Sequence, residues 1–156
     1  MLQLVIHGGA GSLEGKTAKA KNIHHSLCRI WEETFEILTK ENAKKAVIHG
    51  IRLLEDDPVF NAGTGSKLQA DGEVRMSAAL MDGVKNNFSG VINVQNIRFP
   101  IEAAALLSKE KNSVLSADQA TDFCRKHGFD FHDPVTAERL QEFKQKLSGF
   151  HGTVGI

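Results

Sequence analysis

The chain has 156 residues, in which 19 lysines and arginines balance 19 aspartates and glutamates. That length suits one domain with a sizeable core, and the balance excludes both the basic footprint of a nucleic-acid binder and an acidic tail. The expected partner is a small molecule or another protein.

Two cysteines, Cys28 and Cys124, lie far apart in helix-like stretches without CxxC spacing or a nearby His pair, so free core thiols are expected and metal ligation is not. The start MLQLVIHGGAG lacks a basic n-region and a long apolar run, and no stretch approaches membrane-spanning length, which predicts a cytoplasmic setting and no membrane contact. Residues 2–6 are apolar and partly β-branched and break into His7-Gly8-Gly9-Ala10-Gly11-Ser12, the pattern of a buried strand ending in a glycine loop. Ile23, Leu27, Ile30, Trp31, Thr34, Phe35 and Leu38 recur at three and four residues, which predicts an amphipathic helix over 17–40. A second helix is predicted from the N-cap Asn42 through Ala46, Val47, Gly50, Ile51 and Leu54 to a stop before Pro58. The loop DDPVFNAGTGS over 56–66 follows.

Residues 73–81 and 88–94 read as strands joined by a reversal through Gly83, Asn86 and Asn87. Pro100 opens a helix through 107, residues 113–115 form a short strand, and Ser116-Ala117-Asp118-Gln119 has the capping-box pattern of a helix ending near Gly128. Strands and helices are interspersed. From 133 to 148 the composition turns polar, with a charged helix over about 137–146 whose weak apolar stripe is Leu140, Phe143 and Leu147; this segment reads as a solvated linker. No repeat or low-complexity tract occurs.

Three motifs carry candidate chemistry. HGGAGS follows a strand but lacks the Lys-Ser/Thr ending of a P-loop and the GxGxxG pattern, so its glycines are read as permitting close backbone approach or positive φ. In FNAGTGS, Asn61 is the side chain able both to donate and to accept hydrogen bonds at a reacting carbonyl, and the helix end before it leaves carbonyls without intrahelical donors, oxygens of the kind that hold a hard cation. The last motif is Gly152-Thr153-Val154-Gly155. Alone, a Gly-Thr step is an ordinary strand start. A threonine hydroxyl becomes a good nucleophile when the residue is the first of its chain, because its own α-amine, titrating near roughly 7.7 to 8.0, then serves as base. That chemistry requires the bond between Gly152 and Thr153 to be cut.

IHGGAGS, RLLEDDPVFNAGTGS, GEVRMSAALMDG and the closing GTVG, in this order and spacing, resemble the plant-type L-asparaginases, or isoaspartyl peptidases, of the N-terminal nucleophile hydrolase superfamily. The resemblance spans nearly the whole chain and is weakest from Asp133 to His151. It implies an α/β fold of α+β type, an αββα four-layer sandwich of which this chain supplies the α half: 1–132 as the α-subunit half, 133–152 as a polar linker and 153–156 as the start of the β-subunit strand. The precursor would cut itself between Gly152, the scissile carbonyl, and Thr153, the nucleophile, so that SGFHGTVGI is the cleavage junction. Gly8 and Gly9 would lie beside the nucleophile, with Asn61 close to the reacting carbonyl. The main chain of Leu54, Glu55, Asp57, Phe60, Ala62 and Thr64 would bind a structural sodium, with no cofactor for chemistry.

The implied substrates are L-asparagine and β-aspartyl dipeptides. The implied partners are the β subunit of the same precursor, in a dimer of αβ units, without nucleic acid; substrate-binding residues are expected in the β half. Ser77 stands where the family often has aspartate. His151 before Gly152 is similar to the related glycosylasparaginases, which keeps a glycosylasparaginase-like amidase open as an alternative; a truncated, non-catalytic scaffold is another.

Overall fold

A computed structural model describes residues 1–11 and 15–151. In chain order the elements are α1 (Thr17–Lys40), α2 (Ala43–Asp56), β1 (Met76–Asp82), β2 (Asn87–Val94), α3 (Pro100–Leu107), β3 (Val114–Ser116), α4 (Ala117–Lys126) and α5 (Ala137–His151). The fold is α+β. β1 and β2 form an antiparallel hairpin, and β3 joins β2 in parallel, giving a mixed sheet in the order β1-β2-β3.

Side-chain alternation divides the sheet into two unlike faces. Met76 and Leu80 of β1 with Ser89 and Val91 of β2 are buried beneath α3 and α4. There Val91, Val94, Ile97, Ala103, Leu107, Ala120 and Cys124 form the main core. Ser89 answers its burial by donating its hydroxyl to Ala104 O at 2.6 Å. On the other face Ser77, Ala79, Phe88, Gly90, Ile92 and Val114 line a shallow depression of about 260 Å³, and Met81, Phe88, Ile92 and Val114 are exposed. A two-sided apolar sheet covered on one side only is unusual in a finished fold.

The α1–α2 hairpin packs on α3 through α2. Asn42 caps α2 as the sequence predicts, accepting the Lys45 N–H at 3.0 Å. α3 begins at Pro100, whose missing N–H costs nothing in a first turn, and the next amide, Ile101 N–H, is answered by Oε1 of the Glu55 carboxyl group at 3.0 Å.

Several expectations change. In residues 2–6 Leu4 and Ile6 are half-buried and Val5 is exposed, the alternation of a strand, but they make no ladder among the described residues. Leu4 O instead accepts the Trp31 indole N–H at 3.2 Å. The strand expected from 73 begins at Met76, because Glu73 O is taken by the Gln69 N–H at 2.9 Å in a local turn. The capping box before α4 does not form: Ser116 is held in the β3 ladder opposite Ile92, and Ala117 takes φ +50°. Cys124 is buried but Cys28 is exposed, since it falls one position off the Ile23, Leu27, Ile30 stripe. Within the segment read as a solvated linker, Pro134 and Arg139 are buried.

Candidate functional site

The glycine loop and the 60–65 turn, far apart in sequence, meet. Ile6, Ile23, Leu27, Leu54 and Phe60 share a small apolar cluster around Ile30, and Gly8 lies directly over it. A Cβ on Gly8 would stand 2.8 Å from Phe60 Cε1 and 3.1 Å from Leu27 Cδ2, so only glycine permits this approach. Gly9, at φ +104°, turns the chain and donates its N–H to His7 Nδ1 at 3.3 Å. Gly8 is therefore seated against the residue that precedes Asn61, and Gly9 follows it in the open.

Asn61 is exposed, and its orientation follows from one bond. Its Oδ1 accepts the Lys67 N–H at 2.8 Å, and because only the oxygen can accept, this fixes which end of the amide is which. The Nδ2 group makes no hydrogen bond among the described residues, which leaves two donors for an external oxygen.

The turn carrying Asn61 folds back on the end of α2. At Gly63, φ is +51° and an added Cβ would lie 2.1 Å from Glu55 O, so the backbone there needs both the left-handed conformation and the absence of a side chain. The Thr64 N–H then reaches Glu55 O at 2.7 Å. Of the carbonyls expected to hold a cation, Leu54 O would serve residue 58 in a continued helix, and Pro58 has no N–H to give. Asp57 O accepts the Phe60 N–H at 3.1 Å, and Phe60 O faces Arg139 Nη2 at 3.5 Å. Each of these oxygens keeps a lone pair. The Asp57 carboxylate is committed to the Val59 N–H and to Arg29. Neutral carbonyl oxygens are the donor type that a hard cation takes; of these, Glu55 O accepts the Thr64 N–H and Phe60 O accepts from the Arg139 guanidinium.

Glu55 is the one strongly perturbed acid of the site. It is 3% exposed; burial pushes its carboxyl up to about 8, against the opposing bond from Ile101 N–H, with Glu102 raising it further and Arg52 lowering it. Its Oε2 has no hydrogen-bond partner among the described residues.

Sequence reasoning missed two contributors from the polar segment. His132 Nε2 pairs with Thr64 Oγ1 at 2.9 Å. Arg139, 5% exposed, donates Nε to Gly65 O at 2.5 Å. The available signal was its place on one helical face with Glu142 and the half-buried Phe143, at i, i+3 and i+4. Ser77 donates nothing to this site: its hydroxyl accepts the Asn93 N–H at 3.1 Å at a bulge where the β1–β2 register shifts and Asn93 takes φ +55°. An aspartate there could accept the same bond. Gly152 and Thr153 lie outside the described residues.

Comparison with known proteins gives this assembly a family. Residues 1–153 match the family described as Asparaginase. The chain is 47% identical over 145 residues to an isoaspartyl peptidase/L-asparaginase of Synechocystis sp., covering 92% of this chain and 44% of that protein. It is 44% identical over 146 residues to one of Nostoc sp., covering 92% and 46%. With a plant-type L-asparaginase of Pyrococcus abyssi it shares 36% identity over 154 residues, covering 94% and 49%. The chain thus spans about half the length of the curated relatives it matches. From the family match and the seating of its glycine loop on the asparagine turn, we conclude that the chain belongs to the asparaginase family.

Proposed function

We propose that this chain is the N-terminal half of a hydrolase of L-asparagine and β-aspartyl dipeptides, in which Thr153, freed by cleavage after Gly152, is the nucleophile. The observation that carries the reading is the contact of Gly8 with Phe60, which brings the glycine loop to a turn whose Asn61 has its oxygen tied to Lys67 and its NH₂ available. Such an amide suits a carbonyl oxygen that gains charge as it is attacked.

In the precursor, Thr153 Oγ adds to the Gly152 carbonyl, the peptide C–N bond breaks, and the nitrogen leaves as the α-amine of Thr153. Water then hydrolyses the Gly152 ester. In turnover that amine takes the Thr153 hydroxyl proton while Oγ attacks the substrate amide; ammonia or an amino acid departs, and water releases aspartate from the ester.

The apolar sheet face around Phe88, Gly90 and Ile92 and the unpaired edge of residues 2–6 are the surfaces that the other half of the precursor would cover. A sodium ion held by the carbonyls of Leu54, Glu55, Asp57, Phe60, Ala62 and Thr64 would brace the turn, and free Cys28 and Cys124 suit a reducing, cytoplasmic setting. The test is the full-length precursor with Thr153→Ala. It should remain one band on a denaturing gel and release no ammonia from asparagine, whereas Thr153→Ser should cleave slowly. Efficient cleavage after Gly152 in the alanine variant would rule the mechanism out.

A further inference from the structure

The charged helix α5 is joined to the asparagine turn by more than chain connectivity. Four contacts run from residues 132–139 to residues 60–65: His132 Nε2 with Thr64 Oγ1 at 2.9 Å, Gly65 N–H to Pro134 O at 2.8 Å, and Arg139 to both Gly65 O at 2.5 Å and Phe60 O at 3.5 Å. The arginine is the buried charged member. Its remaining nitrogen, Nη1, is held by Glu142 at 2.9 Å, which fixes the plane of the guanidinium. Thr136 sets the start of the helix, its hydroxyl accepting the Arg139 N–H at 3.3 Å.

We propose that Arg139 is a positioning residue for Asn61: its guanidinium fastens both ends of the turn 60–65 and so aims the Asn61 amide at the reacting carbonyl. A planar fork serves two carbonyls from separate nitrogens in a fixed geometry, whereas an ammonium offers rotatable donors from a single atom. Phe60 immediately precedes Asn61, and Gly65 closes the turn two residues before Lys67, whose N–H holds Asn61 Oδ1. Without Arg139 the turn keeps its bonds to Glu55 and Pro134 but loses the clamp at both ends. Gly65 O is also left without this charge-assisted donor. An amide displaced by even 1 Å from a developing oxyanion forfeits on the order of 100-fold in rate. The role rests on the proposed function of Asn61 and extends it to a residue that touches neither substrate nor nucleophile.

The experiment is a double-mutant cycle in the full-length precursor, using Arg139→Ala, Asn61→Ala and the pair, with the first-order cleavage rate and the kcat and KM for ammonia release from asparagine as readouts. Arg139→Ala is expected to slow cleavage and lower kcat by about 10- to 100-fold with little change in KM, and to add less than about twofold in the Asn61→Ala background. Arg139→Lys fills the same space with a charge and is expected to recover only part of the loss; it stands in for the alanine variant if that fails to fold. Equal losses in both backgrounds, or wild-type rates in Arg139→Ala, would overturn the proposal. A Thr153→Ala precursor that still cleaves would instead bring down the nucleophile assignment, so the two failures are distinct.

Discussion

Replacing Gly8 with alanine tests the central contact at the smallest possible scale. The added carbon would lie 2.8 Å from Phe60 Cε1 and 3.1 and 3.3 Å from the two Leu27 methyls. Carbon pairs rest at about 3.5–4.0 Å, so about 0.7 Å must be found somewhere. Leu27 can rotate, but the Phe60 ring is 4% exposed and wedged in the cluster around Ile30 and Leu54. The exposed glycine loop, with nothing packed above it among the described residues, is the part that moves. Gly8 is not among the positive-φ residues, so alanine adds no backbone strain and the change is chiefly a displacement. If the loop lies beside the nucleophile as proposed, a shift of that size predicts a loss of roughly 10- to 100-fold in cleavage and turnover, against a stability cost of about 1–3 kcal/mol. The assay is the time course of cleavage in the full-length precursor, with urea unfolding alongside. Adding Phe60→Leu removes the ring edge and should return part of the lost rate. Wild-type kinetics in Gly8→Ala, or no gain from the second substitution, would refute the argument that this contact sets the loop.

Two further outcomes follow from burial. Glu55 has a folded pKa of about 8 against an ordinary 4.5, so between those values the folded state holds a proton the unfolded state has released. Stability is then greatest below pH about 4.5 for this group, falls as pH rises towards 8 and levels off above it. The contribution is on the order of a few kcal/mol, and Glu55→Gln, which keeps the acceptor for Ile101 N–H, should flatten the pH profile of Tm in sodium-free buffer; an unchanged slope would contradict this. The open sheet face predicts that residues 1–156 alone self-associate. Ile92→Glu should keep them dispersed in size-exclusion chromatography, yet cut co-purification with the remaining half of the precursor by at least about tenfold, since a buried unpaired charge is costly. A monodisperse wild-type fragment would remove that reading of the face.

Periodicity carried most of the helices because their burial is written locally. Ile23, Leu27, Ile30, Thr34 and Leu38 mark the inner face of α1 whether or not α2 is known, and Asn42 and Pro58 punctuate α2 from within the chain. Residues 2–6 show the limit of such signals. Their alternation is real, with Leu4 and Ile6 half-buried, but a strand is defined by a neighbour, and the described residues supply none. Ser116 fails differently: its capping pattern is intact, yet the β3 ladder uses the same residue and wins.

The meeting of the glycine loop with the 60–65 turn shows why its members stood out in the sequence and their support did not. Asn61 stood out by chemistry, as the amide in a turn of small residues, and Gly8 by the absence of any side chain beside a strand. Arg139 carried neither mark, only a place on one helical face with Glu142 and Phe143. Between Glu138 and Glu142 it has the sequence of an ordinary solvated helix face, and surface ion pairs of that kind contribute little. What makes it important is the long-range arrival of two carbonyls, Gly65 O and Phe60 O, that the curled turn presents without enough backbone donors. Within the turn the Thr64 N–H goes to Glu55 O, the Gly65 N–H to Pro134 O and the Ser66 N–H to Gly63 O, and among the described residues no loop amide reaches Phe60 O or Gly65 O. The acceptors that hold this buried guanidinium lie 74 and 79 positions earlier, and no window of sequence around Arg139 contains them.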